Sequence, residues 1–220
     1  MIVAIDGPAA SGKGTLARNL AGKLNLAHMD TGALYRAVAF EVSKAGLSVR
    51  DKKDAIAAAK TLRKKIEGAE YPADILGRPV LKEDRFGRDA SVIAVIPEVR
   101  EILADLQKDF AHAPGEGFAG AVLDGRDIGT VICPEADAKL YIIADTEIRA
   151  QRRMKELQSK GISVTYDAVL DDMRKRDARD EGRKTAPLTP AADAVLLDTT
   201  HLSESEALER ALEIVREILP

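Results

Sequence analysis

Apolar and polar positions along this chain switch repeatedly between a strand pattern and a helical one. Residues 2 to 5 form an unbroken apolar run that predicts a buried strand, and GPAASGKGT follows it. Next, LARNLAGKL puts Leu16, Leu20 and Leu24 on one helical face. Residues 26 to 29 read as a second short strand, after which Asp30 and Thr31 can cap a helix carrying Leu34, Val38 and Val42. Positions 51 to 66 are again helical. Between 68 and 88 the pattern breaks, and Gly77, Pro79 and Gly87 punctuate short runs such as ADIL and PVL, which predicts hairpin-like strands or an irregular insert. Two consecutive helices are expected at 91 to 96 and 97 to 110, with Pro97 opening the second, and Gly115, Gly117 and Gly120 then make a flexible joint. The runs AVLD at 121 to 124 and LYIIA at 140 to 144 have the continuous character of strands covered on both faces. Charged helical sequence fills 146 to 182, and AVLLD at 194 to 198 precedes a helix capped near Ser203. Strands alternating with helices in this way predict an α/β fold with a parallel sheet.

Composition narrows the functional classes. The 220 residues are 45% hydrophobic and 31% charged, enough to bury a sizeable core, and one principal domain is expected. With 33 basic and 36 acidic residues the net charge is −3, which gives no global attraction for nucleic acid or a membrane surface. Any anion must therefore be held by local clusters. The single cysteine, Cys133, excludes an internal disulfide and a thiolate zinc cluster and fits a reducing cytosol, while His28, His112 and His201 show no metal-ligand spacing. The opening MIVAID reads as a first strand, and neither export nor membrane insertion is expected.

Chemistry concentrates in four segments. Gly7, Pro8, Ala9, Ala10, Ser11, Gly12, Lys13, Gly14 and Thr15 lie between a predicted strand and a predicted helix, the context a phosphate-binding loop requires. Glycines let the backbone curl around a phosphate chain, N–H groups and the helix N-terminus face its oxygens, and Lys13 adds a mobile cation. Gly14 separates Lys13 from Thr15, so the loop reads GKGT, and no NKxD element follows it to suggest guanine binding. In DTGALYR, Arg36 stands close enough to a strand end to clamp a phosphate, although such residues taken alone are more often helix caps, as Asp30 and Thr31, and a surface arginine, as Arg36. LDGRDIGTV crowds Asp124, Arg126 and Asp127 at a strand exit: Asp124 is placed to organise magnesium, Arg126 to contact phosphate and Asp127 to accept from an exocyclic amine, the alternative being a self-bonded polar turn. In RDARDEGR, helical spacing gathers Arg176, Asp180 and Arg183, either as a solvated face or as part of a mobile lid.

These segments, with ASVIAVIPEVRE and the extension RDARDEGRKTAPL, occur in the order and register that resembles bacterial cytidylate kinases, from Ile2 nearly to the C-terminus. The resemblance implies a P-loop kinase fold: a five-stranded parallel sheet flanked by helices, an acceptor-binding insert at about 65–100 and a helical lid. It implies a single P-loop kinase unit, with core at 1–35, 115–148 and 186–220, a nucleoside monophosphate-binding region at 36–114 and the lid at 149–185. It also implies transfer of the γ-phosphoryl group of ATP to CMP, with dCMP accepted and UMP used more weakly, and Mg2+ as cofactor through Thr15 and Asp124. Family roles fall on Ser91, Arg100 and Asp127 for cytosine, on Arg36, Arg126 and Arg183 for phosphate, and on Arg176 and Asp180 for ribose. Thr31 stands where some relatives have serine, and Arg149, Arg152 or Arg153 would complete the lid. A cytoplasmic monomer acting on small nucleotides, with no nucleic acid polymer or membrane as partner, is the accompanying expectation. Two other readings stay open: a kinase for a different nucleoside monophosphate, and a nucleotide-sensing module without turnover.

Overall fold

A computed structural model of the chain describes residues 1–69 and 72–218. The described elements follow the alternation: β1 (Ile2–Asp6), α1 (Lys13–Leu24), β2 (Ala27–Asp30), α2 (Thr31–Lys44), α3 (Lys52–Glu67), α4 (Pro72–Leu76), a 3-10 turn (Pro79–Lys82), α5 (Asp84–Ile93) and α6 (Pro97–His112). Then come β3 (Ala121–Gly125), a π-helical turn (Ile128–Ile132), β4 (Ala138–Ile143), α7 (Thr146–Ser159), α8 (Tyr166–Glu181), β5 (Val195–Asp198) and α9 (Glu204–Ile218). They fall into two compact units, Met1–Met29 with Ala111–Pro220, and Asp30–Phe110.

The first unit holds a five-stranded sheet in the order β2-β3-β1-β4-β5. β1 runs parallel to both β3 and β4, and β4 parallel to β5. The two apolar runs expected to be covered on both faces are so covered: all five residues of β3 are buried, and the first five of β4. Their β-branched and leucine side chains meet α1 and α9 in one cluster that includes Val3, Ile5, Leu20, Leu140, Ile142, Ala211 and Val215. β5 departs from that pattern. It is the last strand of the sheet, and Val195 and Leu196 are 36% and 59% exposed. The helix after it is capped where the sequence indicates: Ser203 Oγ accepts from Glu206 N at 3.3 Å while Glu206 Oε2 accepts from Ser203 N at 2.8 Å.

In the second unit α2 packs against α3, α4 and α5. Asp30 caps α2 by accepting from Ala33 N at 3.2 Å. The expected hairpin-like strands are absent from the described part of 68 to 88, residues 70 and 71 lying outside the description; α4, the 3-10 turn and α5 occupy it instead. Pro79 opens the 3-10 turn, where its missing N–H costs nothing. Gly87 is carried inside α5 at a propensity cost of about 1 kcal/mol, which burial of Phe86, Ala90 and Ile93 along one face offsets. Phe86 also meets the Phe40 ring edge-on with centroids 5.6 Å apart. Replacing the fully buried Phe86 with alanine is expected to destabilise this unit by about 3–5 kcal/mol, read as a lowered urea midpoint. An unchanged midpoint would show that α5 is not an integral part of this packing.

Candidate active site

β1 ends in Asp6, and the chain then passes over a neighbouring backbone too closely for any side chain. A Cβ on Gly7, whose φ is +152°, would overlap the carbonyl oxygen of Ile142 on β4. Gly12 takes φ +87° as the N-cap of α1 and supplies no side-chain cap, so backbone N–H groups at the head of α1 are oriented for an anion. Lys13 starts α1, and its Nζ donates to Pro8 O at 3.4 Å, curling the side chain back across the loop. Ser11 is buried and its Oγ donates to the same carbonyl at 3.0 Å. The loop is braced from outside as well. Thr199 Oγ1 donates to Ser11 O at 2.9 Å and Arg149 Nη1 donates to Ala9 O at 3.3 Å.

Beside the loop, β3 delivers Asp124, Arg126 and Asp127. Asp124 is buried, and its Oδ2 lies 2.8 Å from His28 Nε2. A Cβ on Gly14 would stand 3.8 Å from Asp124 Oδ1, so this carboxylate borders the phosphate loop. Arg126 Nε donates to Asp180 Oδ2 at 3.0 Å, and Arg183 donates to the other oxygen, Oδ1. Burial alone would raise the Asp180 pKa, but the charges of Arg126, Arg183 and Arg176 outweigh it and hold this carboxyl below the usual range. Helical spacing had grouped Arg176, Asp180 and Arg183; the fold adds Arg126 to the same carboxylate.

In the second unit, Asp30 serves twice. Oδ1 caps α2, and Oδ2 accepts from Arg36 Nη2 at 2.7 Å, so capping and ion pairing share one side chain. Arg36 Nε is buried without a hydrogen-bond partner. Thr31 opens α2 and Ser91 sits on α5, both buried. Arg100, only 7% exposed, donates from Nη1 to Ala94 O at 3.3 Å and stands 5.7 Å from the centroid of the Tyr35 ring.

The cytidylate kinase family model matches residues 3–217. The chain belongs to the cytidylate kinase family. It is 55% identical to a cytidylate kinase of Rhodospirillum rubrum, covering 98% of this chain and 97% of that one. Identity to a cytidylate kinase of Methylocella silvestris is 53%, over 98% of this chain and 94% of the relative. A crystal structure of an uncharacterized protein from Eubacterium ventriosum shares the fold at a TM-score of 0.54 and 14% identity, covering 99% of this chain and 98% of that one.

Within this cytidylate kinase family member, His28, Arg149 and Arg152 take places that local sequence did not indicate. His28, one of three histidines that show no metal-ligand spacing, touches Asp124 directly. Arg149 is buried and divides its guanidinium among Ala144 O, Ala9 O, Thr146 Oγ1 and Asp177 Oδ2. Arg152 holds the Thr199 carbonyl at 2.5 Å, while Arg153 reaches Glu156 at 2.6 Å. Asp6 is the other residue that reading missed. Its carboxylate accepts from Ile128 N at 2.9 Å and Gly129 N at 2.8 Å. The signal was present in the string, since Asp6 ends an apolar run directly before the loop just as Asp124 ends one before GRD.

Burial pushes the Asp6 carboxyl up to about 6, against the two backbone donors that favour its ionised form. A carboxyl raised in the folded state binds its proton more tightly there than in the unfolded chain. Its contribution to stability is therefore most favourable below the unfolded value and declines as pH rises through the folded one. Between about pH 4 and pH 6 the Asp6 contribution should fall by about 2 kcal/mol. Denaturation midpoints of the native chain and of Asp6→Asn across that window measure it, and parallel curves would refute the shift.

Proposed function

We propose that this chain transfers the γ-phosphoryl group of ATP to CMP, giving CDP and ADP, with dCMP accepted and UMP used more weakly. The family match over residues 3–217 carries this reading, and the phosphate loop and arginine cluster supply the physical means. Phosphoryl transfer spreads negative charge over the equatorial oxygens of a loose transition state, so positioning and cations do most of the catalysis. Gly7 through Thr15 cradle the ATP phosphates, with Lys13 at the β and γ groups. Arg36, Arg126 and Arg183 hold the acceptor phosphate through their guanidinium groups. Ser91, Arg100 and Asp127 read cytosine, because an aspartate accepts from its amino group while a hydroxyl and a guanidinium donate to ring nitrogen and carbonyl. Arg176 and Asp180 face the ribose, and Thr31 adds a hydroxyl on the acceptor side. An acceptor phosphate is already largely ionised at neutral pH, and no general base is required.

The residues fit magnesium. Thr15 and Asp124 bring oxygen donors to the loop, a small set that suits an ion held largely by water and nucleotide oxygens. When bound, magnesium would neutralise charge on the β and γ phosphates. His28 orients Asp124 toward that duty through their 2.8 Å contact. Sequence 149–185, comprising most of α7 with α8, is proposed as the lid that excludes water from ATP. The proposal includes a cytoplasmic monomer that uses small nucleotides and neither a nucleic acid polymer nor a membrane.

The test is coupled ADP release with magnesium–ATP against CMP, dCMP, UMP, AMP, dTMP and shikimate, with a no-acceptor control. Turnover is expected on the cytidine nucleotides, weaker with UMP. Activity confined to another acceptor would discard the base reading, and tight ATP binding without turnover would indicate a sensing module. Lys13→Ala should lower kcat by about 100-fold or more; normal turnover in that variant would sink the loop mechanism. Asp127→Ala should narrow the CMP over UMP preference in kcat/KM by at least about 10-fold, and an unchanged ratio would remove Asp127 from base recognition.

A further inference from the structure

We propose that Asp6 is a positioning residue for acceptor recognition: its carboxylate, reaching across from the end of β1, fixes the turn that carries Arg126 and Asp127. This rests on the reading that those two side chains contact the acceptor. Asp127 occupies the N-cap position of the π-helical turn, yet its side chain makes no capping hydrogen bond there. Asp6 supplies the cap instead. One of its oxygens takes the Ile128 N–H and the other the Gly129 N–H, at 2.9 and 2.8 Å. At its far end the turn closes on itself, with Val131 N and Ile132 N donating to Asp127 O at 2.9 and 3.2 Å and Cys133 N donating to Ile128 O at 2.7 Å. The Asp127 peptide is thus held on one side by its own turn and, through the next two residues, by Asp6 on the other. Gly129 adds a third restraint. A Cβ there would meet the Lys139 side chain at 3.1 Å, and Lys139 is itself tied to Asp193 at 2.7 Å.

Asp6 is only 5% exposed, and burial disfavours its charge. Asparagine would have the same volume without that penalty, but its amide has one acceptor oxygen, so an N–H of the turn would face a donor. The ion that folding disfavours is the group able to hold both donors at once. Asp127 and Arg126 on the turn and Tyr141 on β4 are the charged or titratable groups whose fields couple to it, and Lys139 packs against the same turn.

The decisive experiment compares Asp6→Asn with Asp127→Ala in steady-state kinetics, with CMP, UMP and ATP varied in turn. Asp6→Asn is expected to raise KM for CMP by roughly 10- to 100-fold and to narrow the CMP over UMP ratio, leaving KM for ATP little changed. If Asp127→Ala narrows that ratio while Asp6→Asn leaves it and KM for CMP intact, the positioning role is overturned and the base reading stands. If Asp6→Asn weakens ATP and CMP alike, Asp6 braces the strand and phosphate loop in general, and the proposal fails. An unchanged ratio in Asp127→Ala removes the base reading and this proposal with it. Should Asp6→Asn not fold, the native chain decides by NMR. The Ile128 and Gly129 amide signals should move with a midpoint near the Asp6 value of about 6, and the Asp127 amide should move with them. A stationary Asp127 signal overturns the coupling.

Discussion

The site in the first unit depends on the parallel pairing of β1 with both β3 and β4. In that register Asp6 stands opposite Gly125 on one side and Tyr141 on the other. Parallel strands end on the same edge of a sheet, so the carboxyl end of β1 releases the phosphate loop where β3 releases Asp124, Arg126 and Asp127. A one-residue slip between β1 and β3 would turn every side chain of one strand to the opposite face. It would also carry Asp6 away from the N–H groups of Ile128 and Gly129. Buried apolar residues on β1, β3 and β4 specify the register, and the chemistry inherits its geometry from their packing.

Much of this was legible because it is local. The phosphate loop is a contiguous string whose glycines answer to backbone geometry at their own positions: Gly7 avoids the Ile142 carbonyl, and Gly12 takes a left-handed cap. The alternation of strands and helices was equally readable, since period and length need no knowledge of partners. The insert was misread for an equally local reason. Gly77, Pro79 and Gly87 look like turn punctuation, but Phe86, Ala90 and Ile93 bury one helical face and override the weak propensity of a single glycine. In that stretch tertiary packing decided the element type.

What sequence could not supply were pairings across long separations. Arg126 and Asp180 lie 54 residues apart, Thr199 and Ser11 188 apart, and Asp6 and Gly129 123 apart. Nothing in the segment IRAQRR, residues 148 to 153, distinguishes the arginine that will be buried from those that will not. Arg149 and Arg152 became braces because the loop at Ala9 and the β5–α9 connection present bare carbonyls to them, at 3.3 Å and 2.5 Å. Such carbonyls are satisfied only by donors from elsewhere in the fold, and the identity of the donor is a property of the assembled sheet.

Two buried carboxylates divide the electrostatic task. Asp180 lies among arginines and is held ionised, whereas Asp6 has chiefly two backbone donors, with a smaller contribution from Arg126, against its burial and is pushed toward neutrality. The difference follows from what each must orient. Guanidinium groups of Arg126 and Arg183 would repel one another if gathered without a counter-ion, and Asp180 brings them together before any ligand arrives. On the proposed reading, an incoming phosphate then exchanges with a carboxylate for arginines already in place, so part of the cost of ordering those side chains falls on folding and not on binding. Asp6, by contrast, arranges neutral N–H groups, and its charge is tolerated because two well-directed donors are worth more in a dry site than in water. Replacing that pair of bonds by apolar packing would keep the strand, but it would leave the turn after Arg126 and Asp127 without its cap.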